Sequence, residues 1–371
     1  MRLPRLQVIS LVLAVALLVS AGGIATTQHP AHVRTVTREG AQSRVIPRFA
    51  QPTQMILVGG RLWVCNDGGN YLSEVNASTG AVIRTAGGRA DRLSDPSDIT
   101  TNGRFLWVTN YGDNLITELS ALDGSLMRVI HPAGIRFQNA SAISYSDGYI
   151  WVAAGGNVNH SSEIVELSAS SGAIVRVVKR DIWAPETIDA VGSQVWVGNL
   201  ADVLDETTGN PNKSITELSA RTGAVERVLN LSHVGAGVQA ATIAPYGGSL
   251  WISNGSVEIP GTNYQAIEIH ASTGHIIRLV GGAHPWSKAE FGGPSGVSIL
   301  DNRVWISDSS NVVELDARTG KVIRIVGARR DRIDGTQDVV AYRGYVWISN
   351  SDGNSLTELR ASDGALVRIV G

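Results

Sequence analysis

The chain has 371 residues, with 31 lysines and arginines against 33 aspartates and glutamates, for a net charge of −2 with histidine neutral. That balance supplies no basic stripe for nucleic acid, whose phosphates require clustered Lys and Arg. The single cysteine, Cys65, cannot form an internal disulfide, so stability must come from core burial, which this length allows.

The first residues, MRLPRLQVISLVLAVALLVSAGG, set Arg2 and Arg5 before an apolar run from Leu6 to Ala21 that ends in small residues. Charged, apolar and then small is the order of a secretory signal, so residues 1–25 are expected to direct export to the periplasm, cell envelope or exterior. The run is shorter than the ~20 residues a bilayer span prefers, and an uncleaved anchor is the alternative and the only membrane attachment expected. Residues 26–51 are polar and irregular and read as a tether or, through SRVIPRF at 43–49, as a strand added to a blade edge.

From residue 52 to 371 one unit recurs. Tryptophans 63, 107, 151, 196, 251, 305 and 347 stand in RLWVCN, FLWVTN, YIWVAA, QVWVGN, SLWISN, RVWISD and YVWISN, at intervals of 44, 44, 45, 55, 54 and 42. The two long intervals carry the insertions DVLDETTGNPNKS and SVEIPGTNYQ in the same segment of their repeats. The second unit shows the pattern: SDITTNG, RFLWVTN, the turn YGDN, LITELSA, the turn LDG, then SLMRVI. Runs of β-branched and aromatic residues divided by Gly, Asn and Asp are strand and hairpin signals. Four strands per unit and seven units predict an all-β fold, a seven-bladed β-propeller of four-stranded antiparallel blades.

Glutamates 74, 118, 166, 217, 268, 314 and 358 each precede, by ten residues, arginines 84, 128, 176, 227, 278, 324 and 368. A three-residue loop, Arg318-Thr319-Gly320, would pair Ala317 with Lys321 and set Glu314 opposite Arg324, a cross-strand ion pair worth about 0.2–1 kcal/mol. A reaction centre does not need seven copies at seven equivalent sites, so this set is expected to be scaffold. The same holds for the tryptophans and for the turn glycines 80, 124, 172, 223, 274, 320 and 364.

The units W-[VI]-x-N, S/T-x-[TV]-E-L and A-x-[TSD]-G-x-[VIL]-x-R resemble the exported bacterial β-propeller repeats grouped with the NHL and YVTN families, over about residues 45–371. More distantly they resemble the virginiamycin B lyase-like and SMP-30 lactonase-like propellers. The lyase resemblance implies metal-assisted elimination by a histidine and glutamates on the channel face. The eight histidines here fall instead in expected loops, outer strands or the tail. His270 beside Glu268 is an unpromising metal pair, because Glu268 belongs to the repeated ion pair. The glutamate, asparagine and aspartate set of the lactonases has no residue-by-residue match.

If identical positions are scaffold, function belongs where repeats differ. Just before the inner-strand Ile, Val or Met stand Gln54, Asp98, Ala142, Thr187, Thr242, Gly296 and Asp338, a ring expected near the channel mouth. Gln54, Asp98 and Asp338 come from blades that adjoin once the ring closes, and their oxygens could hold Ca²⁺ or Mg²⁺. The competing role is capping of local backbone or of channel water. The acidic insertion residues Asp202, Asp205 and Glu206 read as a solvated loop. Phe137, Trp183, Trp286 and Phe291 are aromatics outside the repeated core, accompanied by Arg136, His284, Lys288 and Glu290. Arg136, Phe137, Trp183, His284 and Trp286 are therefore the candidate ligand-binding residues, and plugging of the channel by Trp183 or Trp286 is the alternative. Two functions follow: an exported, monomeric binding scaffold for a protein, glycan or small-molecule ligand, or a metal-dependent lyase or lactone hydrolase at the channel mouth.

Overall fold

A computed structural model describes residues 48–88, 92–131, 137–155, 162–199, 214–231, 240–255, 265–281, 291–327 and 333–371. The chain divides into Met1–Val45 and Ile46–Gly371, and the second unit is the propeller. The expected signal or anchor at 1–25, most of the 26–51 segment, and Arg136, Asp202, Asp205, Glu206, His284, Trp286, Lys288 and Glu290 lie outside the described residues. No helix among the described residues is long and apolar enough to cross a membrane.

Seven four-stranded antiparallel sheets follow one another along the chain, at 52–86, 96–130, 142–178, 185–230, 240–281, 294–326 and 336–370. Blade one shows the plan: an inner strand Pro52–Val58, then Arg61–Asn66, Tyr71–Asn76 and an outer strand Val82–Ala86. Each sheet is made of consecutive strands only, so the last blade supplies its own outer strand, Leu366–Val370. Among the described residues no strand is exchanged between blade seven and blade one.

Between successive blades lie seven separate apolar clusters. Each contains the repeated tryptophan of the earlier blade, buried to 1% exposure or less. Each also contains an apolar residue that precedes the later blade's inner strand. Phe49, Leu93, Phe137, Ile182, Phe291 and Ile333 lie fourteen positions before tryptophans 63, 107, 151, 196, 305 and 347, and all are buried. This is a repeated core position that the motif reading passes over. It corrects the placing of Phe137 and Phe291 outside the repeated core: their identity varies because any large apolar side chain fills the slot. Phe49 fills it between blades seven and one, so the chain is already docked before its first strand.

The ion pairs form in all seven blades. Glu74, Glu118, Glu166, Glu217, Glu268, Glu314 and Glu358 sit opposite the expected arginines, at 2.5 Å for Arg324 Nε to Glu314. The turn differs from expectation. Asp316, not Ala317, closes the hairpin against Lys321, and a bulge between Glu314 and Leu315 then restores the Glu314–Arg324 register. The loop is one residue longer because Gly320, at φ 69°, returns its N–H to the Asp316 carbonyl at 2.8 Å.

Six of the seven arginines also reach beyond their own sheet. Arg84, Arg128, Arg227, Arg278, Arg324 and Arg368 donate to carbonyls of Asp123, Ser170, Ser272, Arg318, Ser362 and Ser78 in the next blade. The asparagine of W-[VI]-x-N is likewise structural. Asn66 Oδ1 accepts the Ala50 N–H at 3.0 Å while its Nδ2 donates to Ser73 Oγ at 2.9 Å, and Asn110, Asn199 and Asn350 repeat the fork.

Candidate functional site: the channel mouth

Six of the seven inner strands begin with a β-bulge. A bulge frees a backbone N–H and re-aims the next side chain. A hydroxyl on the second strand takes up the freed group: Thr109 accepts from Asp98 N–H and Ser349 from Asp338 N–H, each at 3.0 Å. The bulge thereby turns the Asp98 and Asp338 carboxylates toward the following blade.

Both carboxylates bridge two backbone groups. Asp98 Oδ1 accepts from Ile99 N–H and Oδ2 from Ile143 N–H of blade three, each at 2.8 Å. Asp338 Oδ1 accepts from Val339 N–H at 2.7 Å and Oδ2 from Met55 N–H of blade one at 2.9 Å. Thr100, Ser144 and Ser298 make similar links, each accepting a backbone N–H of the next inner strand at 3.0 Å. The channel wall is thus laced together by side chains that differ from seam to seam.

Burial raises the Asp98 carboxyl to about 7, with the Ile143 and Ile99 amides pulling it down and the charges of Asp338 and Asp189 adding to the rise. Burial likewise lifts Asp338 to about 7, against the Met55 and Val339 amides. Asp189 is raised to about 6 by burial, with the Ser144 hydroxyl and Ala190 amide opposing. Cys65 is buried, and burial pushes its thiol well above the ordinary range, so it is not a reactive group.

A cavity of about 250 Å³ lies among the inner strands of blades one to five, lined by Gln54, Asp98, Glu186, Thr187, Asp189 and Thr242 among others. Gln54 and Asp98 therefore share one space, and Glu186 and Asp189 are additions that the ring of varying positions did not single out, because they stand one residue before and two after Thr187. Among the described residues no three carboxylate, histidine or cysteine groups converge as metal ligands. A cation at Gln54, Asp98 and Asp338 would have to compete with four backbone hydrogen bonds.

A second cavity, of about 500 Å³, opens over blades five to seven at the end where the inner strands begin. Of the proposed ligand-binding residues, Phe137 is fully buried in the cluster between blades two and three and offers no face to a ligand. Trp183 keeps about a third of its surface open, 36%, while its backbone N–H donates to Asn199 Oδ1 at 3.0 Å. His270 is exposed, with Nδ1 against Ser272 Oγ at 3.1 Å, and Glu268 is engaged by Arg278 and Ser249.

No family model matches the chain, and no curated protein matches it. Among solved structures it is similar to the hydrazine synthase of Kuenenia stuttgartiensis, at a TM-score of 0.70 and 14% identity over 86% of this chain and 98% of that one. It is also similar to the computationally designed Ika8 protein (TM-score 0.58, 13% identity, 86% of each chain). BamB from Moraxella catarrhalis is a third (TM-score 0.53, 15% identity, 86% of this chain and 84% of that one). At such identities the likeness is one of fold, and the fold it supports is the β-propeller.

Proposed function

We propose that the chain is an exported binding scaffold that takes a protein, glycan or small ligand on the face where its inner strands begin. One observation carries this reading. The repeated glutamate–arginine pairs are engaged within and between blades, whereas the residues that vary from blade to blade line the channel and the mouth, where some also join neighbouring inner strands. A fold of this kind hosts many unrelated activities, so the argument rests on the site and not on the architecture.

Trp183 gives a direct test, since about a third of its surface is exposed and the seven repeated tryptophans are buried. The fluorescence component lost on Trp183→Phe isolates that ring. Ligands found in a mixed screen of peptides, glycans and metabolites should perturb it or protect neighbouring mouth residues from hydrogen exchange. Hits confined to the outer strands would refute the reading.

A metal-dependent lyase or lactone hydrolase is the second reading, supported by Gln54, Asp98, Glu186 and Asp189 sharing the channel cavity. Thermal unfolding after EDTA, with and without Ca²⁺ or Mg²⁺, decides it. An ion at a hundredfold its dissociation constant stabilises the fold by about 2.7 kcal/mol. A metal-dependent rise lost in Asp98→Ala and Asp338→Ala would put the enzyme first, and no rise would leave the scaffold.

A further inference from the structure

Thr100, Ser144, Asp189 and Ser298 hold one position of the inner strand, each opposite the repeated tryptophan of its blade. The three hydroxyls accept the N–H of Tyr145, Ala190 and Ala341 in the next blade, and these acceptors' partners are themselves equivalent, each paired with the residue before the tryptophan. For Asp189 the equivalent residue of blade five is Pro245, paired with Leu250, and proline has no N–H to give. A charged acceptor thus stands where the fold offers it no donor across the seam.

Asp98 and Asp338 show the contrast, because both oxygens of each accept a backbone N–H and one of those donors belongs to the following blade. Among the described residues Asp189 is met only by the adjacent Ala190 amide and by the Ser144 hydroxyl, at 3.4 Å from Oδ1. It lines the channel cavity of about 250 Å³ instead of bridging blades four and five. Its carboxyl is raised to about 6 by burial, which those two donors do not offset.

Resting on the reading of a small ligand at the channel mouth, we propose that this cavity binds a small primary ammonium ion, with Asp189 as its counter-charge. An ammonium group brings three N–H donors and asks for one carboxylate among neutral acceptors, and Gln54 and Thr187 bring side-chain oxygens to the same space. Ile56, Ile99, Ile143, Ile188 and Ile243 also line it, an apolar wall for a short alkyl chain. Among the described lining residues there is no Arg, Lys or His to neutralise the carboxylate, and no aromatic ring of the kind that holds a quaternary ammonium. A divalent metal would need several ligands converging on one point, which the described residues do not provide. The volume lies just under the roughly 300–1,000 Å³ of drug-sized sites, so the chain carrying the amine is short.

Titration calorimetry and thermal melts of the full chain with n-butylamine test this, at constant ionic strength and pH 8, above the Asp189 value of about 6. n-Butylammonium should bind and raise the melting temperature, whereas n-butanol, of the same shape without the charge, should do neither. Affinity should fall about tenfold or more in Asp189→Asn, the scale of one lost hydrogen bond to a charged group. Pro245→Ala supplies the missing N–H, so Asp189 should link blades four and five as Ser144 links three and four, weakening the amine several-fold while the free protein melts no lower. Should Asp189→Asn not fold, Pro245→Ala and the butanol control decide. No binding of n-butylammonium, or binding indifferent to both substitutions, overturns the ammonium site, and displacement of the amine by Ca²⁺ or Mg²⁺ overturns it in favour of a metal. Trp183-linked hits of another chemistry in the mixed screen would then leave the scaffold reading standing, whereas their absence would remove both.

Discussion

At the scale of single residues, the repeated glutamates are more than exposed cross-strand partners. Glu358 is buried beneath Arg368, which also donates to Ser78 O of blade one. Removing the guanidinium strands a buried carboxylate, so Arg368→Ala should cost about 3 kcal/mol in urea unfolding, beyond an exposed pair. Asp363→Ala, which breaks an exposed pair with Arg360, should leave the midpoint unchanged. The channel aspartates invert the usual acid response. Their folded pKa of about 7 lies above the ordinary 3.8, so the folded state holds more protons between those values. Their contribution is fully present below the unfolded pKa and is lost as pH rises through about 7. Melting temperature should therefore fall from about pH 4 to about pH 7, and the slope should flatten in Asp98→Asn and Asp338→Asn.

At the scale of elements, the strands were legible because period-two patterning and Gly-Asn-Asp turns repeat seven times, and repetition reinforces a weak signal. The Glu–Arg register was legible too, although the loop that produces it was not: a four-residue turn and a bulge offset one another, and bulges leave no fixed residue signature. Phe137 shows the opposite failure. Its slot accepts Phe, Leu or Ile, so a search for identical letters reads the position as variable surface when spacing from the tryptophan would have shown core. Phe137→Ala should accordingly destabilise by about 3–5 kcal/mol in denaturant unfolding while leaving ligand binding per folded molecule unchanged. The roles of Asp98 and Asp338 were half legible: their ring was evident, but acceptance of backbone N–H groups across a seam depends on a bulge visible only in three dimensions.

At the scale of the whole molecule, seven seams carry the same kinds of contact, yet one differs in connectivity. Blades one to seven are joined in order by the chain, whereas among the described residues blades seven and one are held by noncovalent contacts, the apolar cluster around Phe49 and Trp347 and the hydrogen bonds of Met55 to Asp338, Arg368 to Ser78 and Gln51 to Asn354. Phe49→Ala should lower the melting temperature by loosening that seam, in contrast to Leu122→Ala on an outer turn, where the side chain is 76% exposed. The ring is in mechanical terms a split washer. A pull across the gap is resisted by hydrogen bonds and one apolar cluster, all of which can re-form, so under load the circle can spring open into an arc of intact blades and snap shut again without any blade unfolding.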